Sequence, residues 1–148
     1  MSFPKPNFKP LDDFQTKWVT SEIDDDCINY LENFGFFLCA KKAVDDRFAG
    51  RDGMTASQIR NVFGAIKQIE AKGTEDINWA AKFRMLRPKM AYAAARVKSS
   101  SPFSRISEFR EVFEKAHIAV QGNFQNFERF SQIIEGAVAY HKVYGGKD

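Results

Sequence analysis

Apolar residues recur every three to four positions along most of the chain, which is the period of an amphipathic α-helix. The clearest apolar stripe contains Ile59, Val62, Phe63, Ile66 and Ile69. No stretch alternates apolar and polar residues with the period of two that a half-buried strand requires. The pattern therefore predicts an all-α fold, a compact bundle of five to six helices.

Helix start signals place the first elements of this bundle. Asp24 and the two aspartates after it favour the N-terminus of a long helix from about Asp25 to Val44. Gly35 inside that range marks either a close crossing with another helix or a weak point. A loop is predicted over residues 45–54. Thr55 and Gln58 then have the spacing of a capping box, which predicts that the next helix begins there.

The second half of the chain contains three more predicted helical segments. Pro88 lies within the helical pattern of residues 75–98, so that helix either kinks or breaks, with Pro88 opening a second segment. Ser101 is the predicted N-cap of a helix that runs to about Val120. Asn123 is predicted to cap the last helix of the chain.

The N-terminal residues follow a different pattern. Residues 1–23 are predicted to form a proline-rich arm with little regular structure, because proline fixes φ and removes backbone donors. Residues 24–148 are predicted to form a single helical-bundle domain. Phe3 and Phe8 leave two alternatives open, a tail that packs loosely and an arm that docks on a neighbouring subunit.

Composition narrows the class of protein. The chain has 148 residues, enough for one core, and 44% hydrophobic residues, too many for a disordered chain. No apolar run approaches the ~20 residues of a membrane span, and the first residues lack a signal-peptide core. We therefore expect a soluble, cytoplasmic protein with no membrane partner. Cys27 and Cys39 are predicted to be buried free thiols.

The chain offers little for catalysis. Only His117 and His141 could act as bases near neutral pH, and each falls within the apolar arc of its own helix. We expect both to be hydrogen-bonded core histidines. No metal-ligand spacing, glycine-rich phosphate loop or nucleophile elbow is present. The sequence thus predicts no catalytic residues, metal or cofactor, and leaves a small RNA-cleaving enzyme that uses either histidine as an alternative.

Basic residues of the central helices suggest binding to nucleic acid. The net charge of +3 does not establish it, so the placement of the charges matters more than their sum. If the two helices are antiparallel neighbours, their cations merge into one patch that contacts phosphates, and a tyrosine there could stack on a base or ribose. The candidate RNA-binding residues are Arg60, Lys67, Arg84, Arg87, Lys89, Tyr92 and Arg96.

Two other interpretations of these residues remain open at this point. The cations could be ordinary surface charges paired with Glu70, Glu75 and Asp76, and Tyr92 could lie in a core or an interface. The spacing adds one geometric expectation. If the helix continues past Pro88, Lys82, Lys89 and Arg96 form a row at seven-residue steps.

Three segments of the chain carry a resemblance to a known family. They are TASQIR at residues 55–60, LRPKMAYAAAR at residues 86–96 and AVAYHKVYGG at residues 137–146. In this order and spacing they resemble the small subunit of the type III-A CRISPR–Cas effector, the Csm complex. The resemblance extends from the loop near Met54 to residue 148.

The resemblance implies a small helical bundle without activity of its own, which acts in antiviral defence. Several copies would stack along a backbone filament that holds the guide RNA, and contact the backbone of the guide–target duplex without reading its sequence. The implied partners are guide RNA, target RNA, the backbone-filament and large Csm subunits, and copies of the chain itself. The resemblance places the family's recurring cations at Arg60, Arg87, Lys89 and Arg96. Lys67 lies one seven-residue step after Arg60. The alternative is a helical protein–protein adaptor whose basic patch is incidental.

Overall fold

The computed structural model describes residues 3–39, 53–97 and 104–148, and these form helices and turns without a strand. Six of the helices are longer than one turn, which confirms the predicted all-α bundle. The bounds are α1 Pro10–Asp13, α2 Lys17–Thr20, α3 Asp25–Leu38, α4 Arg60–Lys72, α5 Trp79–Arg84, α6 Leu86–Ala95, α7 Arg105–Val120 and α8 Phe124–Val143.

The core lies where α3, α7 and α8 meet, and aromatic rings fill much of it. The ring of Phe34 on α3 stacks on that of Phe109 on α7, with centroids 6.0 Å apart. Phe113 meets Phe130 of α8 edge to face at 5.2 Å. Each buried aromatic side chain contributes roughly 1.5–3 kcal/mol through the area it removes from water. These contacts hold α8 at the centre of the bundle.

The α3–α8 crossing depends on a glycine. A Cβ added at Gly35 would lie 2.6 Å from the backbone nitrogen of His141, so only glycine lets the two helices come this close. This confirms a close crossing as the role of Gly35. Asp24 caps α3 by accepting a hydrogen bond from the Cys27 backbone nitrogen at 2.9 Å. The helix begins at Asp25, as predicted, and ends at Leu38; residues 40–44 of its predicted range lie outside the described residues.

The capping box before α4 forms as predicted. The Thr55 hydroxyl accepts a hydrogen bond from the Gln58 backbone nitrogen, and the Gln58 side chain accepts one from the Thr55 nitrogen. The first turn, Ala56–Ile59, is 3₁₀ rather than α, and α4 follows it directly. Gly73 ends α4 with a φ of 63°, a left-handed conformation that favours glycine. Most of the predicted loop over residues 45–54 lies outside the described residues.

The central helical segment breaks at Met85, which settles the alternative left open by Pro88. Because Pro88 has no backbone N–H, the carbonyl of Arg84 four residues earlier receives no helical hydrogen bond. The chain turns at Met85, and Pro88 lies in the first turn of α6. Met85 keeps helical backbone bonds on both sides of the break, since its nitrogen donates to the Ala81 carbonyl and its carbonyl accepts from the Lys89 nitrogen, each at 3.2 Å.

The N-terminal segment is more ordered than its prolines predict. We expected residues 1–23 to have little regular structure, but α1 and α2 each form one helical turn there. Phe14 and Trp18 are each only 2% exposed and join the common core. Their burial stabilises helical turns that a proline-rich composition does not favour.

Phe3 and Phe8 pack on this chain's own bundle. The Phe3 ring lies 5.4 Å from that of Phe36 and 5.1 Å from that of Tyr144. The Phe8 ring lies 5.4 Å from that of Tyr30. Both phenylalanines therefore have aromatic partners within the subunit. The docking-arm hypothesis had instead placed them on a neighbouring subunit.

The last two helices end and begin close to the predicted positions. Helix α7 starts at Arg105 after Ser104, while the predicted N-cap Ser101 lies outside the described residues. It ends at Val120, as predicted, and Gln121 follows in a left-handed conformation. Asn123 caps α8 by accepting a hydrogen bond from the backbone nitrogen of Asn126 at 2.9 Å, which confirms the predicted cap.

Candidate nucleic-acid interface

An open groove runs between α4 on one side and α5 and α6 on the other. It consists of two adjoining hollows that share Met85 and Lys89 in their walls. The first hollow, of about 420 Å³, lies between α4 and α5. The second hollow, of about 340 Å³, lies between the start of α4 and α6 and is lined by Tyr92 and Arg96.

Three cations follow the α5–α6 edge of this groove. Lys82 lines the first hollow, Lys89 lines both, and Arg96 lines the second. They are spaced at seven-residue steps along the sequence, and all three line the same groove. All three cations line the groove, although the helix that the predicted row assumed to be continuous is interrupted at Met85.

The residues that helix α4 contributes to the groove differ from those that the sequence predicted. Its groove side carries Asn61, Gln68 and Lys72. Lys72 was not among the predicted site residues, although its spacing of four from Gln68 places both on one helical face. Arg60 and Lys67 are seven residues apart on a different face of α4, and neither lines the groove. The structure thus does not merge all cations of the two helices into one patch.

Lys67 is tied to carboxylates rather than to the groove. Its ammonium group lies 3.1 Å from a carboxylate oxygen of Glu135 on α8 and 3.4 Å from one of Glu70. Burial alone would lower the pKa of Lys67, but hydrogen bonds and charge interactions with Glu135 and Glu70 outweigh it and raise the pKa. The cation is thus stabilised and already partnered.

Arg84 and Arg87 are exposed but lie outside the groove walls. The positive charge of Arg87 is one of the influences that lower the pKa of His117, which places Arg87 toward α7. Among the described residues, no carboxylate oxygen lies within 4.0 Å of either arginine or of Lys89 and Arg96. These cations are therefore available to an external anion.

Tyr92 belongs to the surface and not to the core. Its side chain is 67% exposed, and it lines the second hollow. The guanidinium carbon of Arg96 lies 5.9 Å from the centre of the Tyr92 ring, within the range of a cation–π contact. An exposed ring beside a guanidinium is an arrangement that can stack on a base.

Lys82 has a carboxylate partner at the rim of the first hollow. Its ammonium group lies 2.6 Å from Asp76, and this contact lowers the pKa of Asp76 and raises that of Lys82. The predicted pairing of central cations with acidic residues is thus found at Lys82 and Lys67. The pairing with Asp76 offsets one of the three lysine charges around this hollow.

Both histidines have structural hydrogen bonds, as predicted. The Nε2 of His117 donates to the Phe83 carbonyl at 2.7 Å, and its ring stacks on the Phe83 ring with centroids 3.8 Å apart. The Nε2 of His141 donates to the Met54 carbonyl at 2.6 Å. The two side chains are 5% and 1% exposed. His117 links α7 to α5, His141 links α8 to the segment before α4, and neither lines the groove.

Metal ligands, membrane-spanning helices and reactive thiols are three further features to consider in the described residues. The described part of the chain contains no group of three or more histidine, cysteine or acidic side chains that could hold a metal ion. None of its helices has the length and apolarity needed to cross a membrane. Cys27 and Cys39 are both buried, as predicted, and burial raises the pKa of Cys27 to about 12.

Fold and groove together define the class of protein, a small helical bundle with an apolar groove rimmed by cations. A family model described as Csm2 Type III-A matches residues 36–147, and the chain belongs to that family. It is accordingly a small subunit of the type III-A Csm complex, an assembly of several subunits. No curated protein and no solved structure matches the chain.

Proposed function

We propose that this subunit contacts the backbone of the guide–target RNA duplex through the α4–α6 groove, without catalysis and without reading sequence. Its partners are guide RNA, target RNA, the backbone-filament and large Csm subunits, and further copies of itself. The assembly acts in the cytoplasm in antiviral defence.

The observation that supports this function is the row of Lys89 and Arg96 beside the exposed ring of Tyr92. Neither cation has a carboxylate within 4.0 Å among the described residues, so a phosphate can approach both without displacing a partner. Contacts to phosphate and sugar position a protein on nucleic acid but carry no sequence information. A subunit that serves any guide sequence needs contacts of this kind.

Repetition of the subunit compensates for the small number of contacts per copy. Head-to-tail contacts between identical subunits generate open filaments, which can follow a duplex. A copy with only a few phosphate contacts binds weakly alone, and linked copies gain affinity through effective concentration. A non-catalytic role agrees with the commitment of His117 and His141 to backbone carbonyls.

The experiment is a salt titration of RNA binding with two charge-reversal variants. Lys89→Glu with Arg96→Glu alters the groove, while Lys9→Glu with Lys17→Glu changes the net charge equally on the N-terminal segment. With single-stranded RNA as the probe, we expect the groove variant to lose affinity and the magnitude of its log–log salt slope to fall by about 0.7 for each lost phosphate contact. The control should retain the slope of the parent.

Two outcomes would contradict this function. A flat salt dependence of the parent would favour the protein–protein adaptor, because counterion release accompanies phosphate binding. Cleavage of RNA by the parent that disappears in a variant with alanine at His117 and His141 would favour an enzyme. The RNA should instead remain intact with both proteins.

A further inference from the structure

We propose that the first hollow binds the base of an unstacked RNA nucleotide, so that this subunit prefers an RNA with an unpaired base to a continuous duplex. This inference rests on the proposed function and adds the form of RNA that the groove selects. The observation that supports it is an apolar hollow large enough for a base and lined by three lysines.

The walls of the first hollow suit a flat aromatic ring. Ile69, Ala65 and Ala81 provide apolar surface, and the two alanines leave space that larger side chains would fill. Met85, which is 55% exposed, adds a thioether of the kind that packs favourably against aromatic rings. The volume of about 420 Å³ lies within the range of about 300–1,000 Å³ of small-ligand sites.

The charges around the hollow suit the phosphates on both sides of such a base. Lys72, Lys82 and Lys89 line it, and no carboxylate is among its described lining residues. Asp76 pairs with Lys82 outside the hollow and offsets one of these charges, so an excess of positive charge remains. Apolar walls with a cationic rim complement an aromatic ring that is attached to anions.

Two further features favour RNA, rather than an acidic protein segment, as the ligand of the first hollow. The amide of Gln68 lines the hollow and can both donate and accept, so it can pair with the edge of any base. The second hollow continues the groove with Tyr92 and Arg96, whose ring and guanidinium are the groups on which unstacked bases stack. A base within a continuous A-form helix is already stacked and cannot enter either hollow.

The test compares two fluorescently labelled RNA duplexes, one fully paired and one with a single bulged adenosine at its centre. Binding of the full chain is measured by fluorescence anisotropy. We expect the bulged RNA to bind about fivefold tighter or more, which is the lower end of what stacking one base contributes.

Substitutions in and outside the first hollow test whether it causes the preference for the bulged RNA. Ala81→Trp fills the hollow with an indole without changing its charge, and Ala71→Trp places the same side chain on an exposed face of α4 outside the groove. We expect Ala81→Trp to lose the preference for the bulged RNA, and Ala71→Trp to keep the preference of the parent. Met85→Ser, which removes an apolar wall without adding bulk, should also lose the preference.

The outcomes separate this inference from the proposed function. If the parent binds both RNAs with equal affinity, and the Lys89→Glu, Arg96→Glu variant binds neither, the first hollow is not a base site. The proposed contact with the RNA backbone would then still stand. Absence of RNA binding altogether would overturn both. If Ala81→Trp binds both RNAs as the parent does but fails to assemble with the other subunits, the groove is a protein-docking surface and the inference is wrong.

Discussion

The ammonium group of Lys67 on α4 lies 3.1 Å from a carboxylate oxygen of Glu135 on α8. Glu70 approaches the same ammonium group at 3.4 Å, and its other oxygen accepts a hydrogen bond from the buried Ser131 hydroxyl at 2.6 Å. This network links α4 to α8 and partly neutralises Lys67. A cation predicted for RNA binding from its position along the chain thus has a structural role in the bundle.

The first prediction concerns the different roles of two lysines. Lys67→Ala should leave RNA affinity and its salt slope close to those of the parent, because its charge is already paired within the subunit. Lys89→Ala should lower the slope by about 0.7, the contribution of one phosphate contact to a single strand. Anisotropy titrations over a range of salt concentrations measure both.

Stability provides the control for that comparison. Lys67→Ala should cost at most about 1 kcal/mol in the free energy of unfolding, since partly exposed ion pairs contribute little. Equal losses of RNA affinity in the two variants would mean that Lys67 leaves its carboxylates to meet RNA.

The second prediction tests the α3–α8 crossing with two glycines. Gly35→Ala should lower the free energy of unfolding by about 1–3 kcal/mol, because the new Cβ would meet the backbone of α8 at 2.6 Å. Gly64→Ala on α4 is the matched control, since a Cβ there meets no atom within 4 Å. It should stabilise by about 0.5–1 kcal/mol through helix propensity. Urea denaturation measures both, and a Gly35→Ala protein as stable as the parent would contradict the crossing.

The third prediction is a pH dependence of stability from His117. Burial is the largest influence and lowers the pKa of His117 below 6.5, and the charge of Arg87 acts in the same direction. The unfolded chain therefore binds more protons than the folded one as the pH falls below 6.5. The stabilisation is fully present above that pH and decreases as the pH falls toward the folded-state pKa. Denaturation midpoints across this range measure it.

A variant isolates His117 from other titrating groups. His117→Gln keeps a side-chain donor for the Phe83 carbonyl but does not titrate. It should show a smaller loss of stability on acidification than the parent. The same loss in both proteins would assign the pH dependence to other groups.

The fourth prediction concerns the two thiols. Burial raises the pKa of Cys27 to about 12, so little thiolate forms at pH 8, and Cys39 is only 3% exposed. A disulfide reagent should therefore react very slowly with the native protein and rapidly with both thiols once guanidinium unfolds it. Fast reaction of the native protein would show that α3 opens readily.

Local sequence signals were reliable wherever neighbouring residues decide the structure. The Thr55–Gln58 capping box and the Asp24 and Asn123 caps all formed, because each depends on hydrogen bonds within a few residues. The N-terminal segment differs from what its local sequence predicts. Its prolines predict an arm with little regular structure, but Phe14 and Trp18 pack into a core formed by distant helices.

The sequence by itself determined the helical period, the caps and the buried histidines, since these follow from spacing along single helices. The seven-residue steps of Lys82, Lys89 and Arg96 were also visible in the sequence, but these residues lie on two helices that meet at Met85. Only the tertiary structure decided which side of α4 faces α6, and with it that Lys72 joins the groove while Lys67 turns to Glu135. The rotation of a helix about its axis is set by packing against all its neighbours, and packing involves residues far apart in the chain.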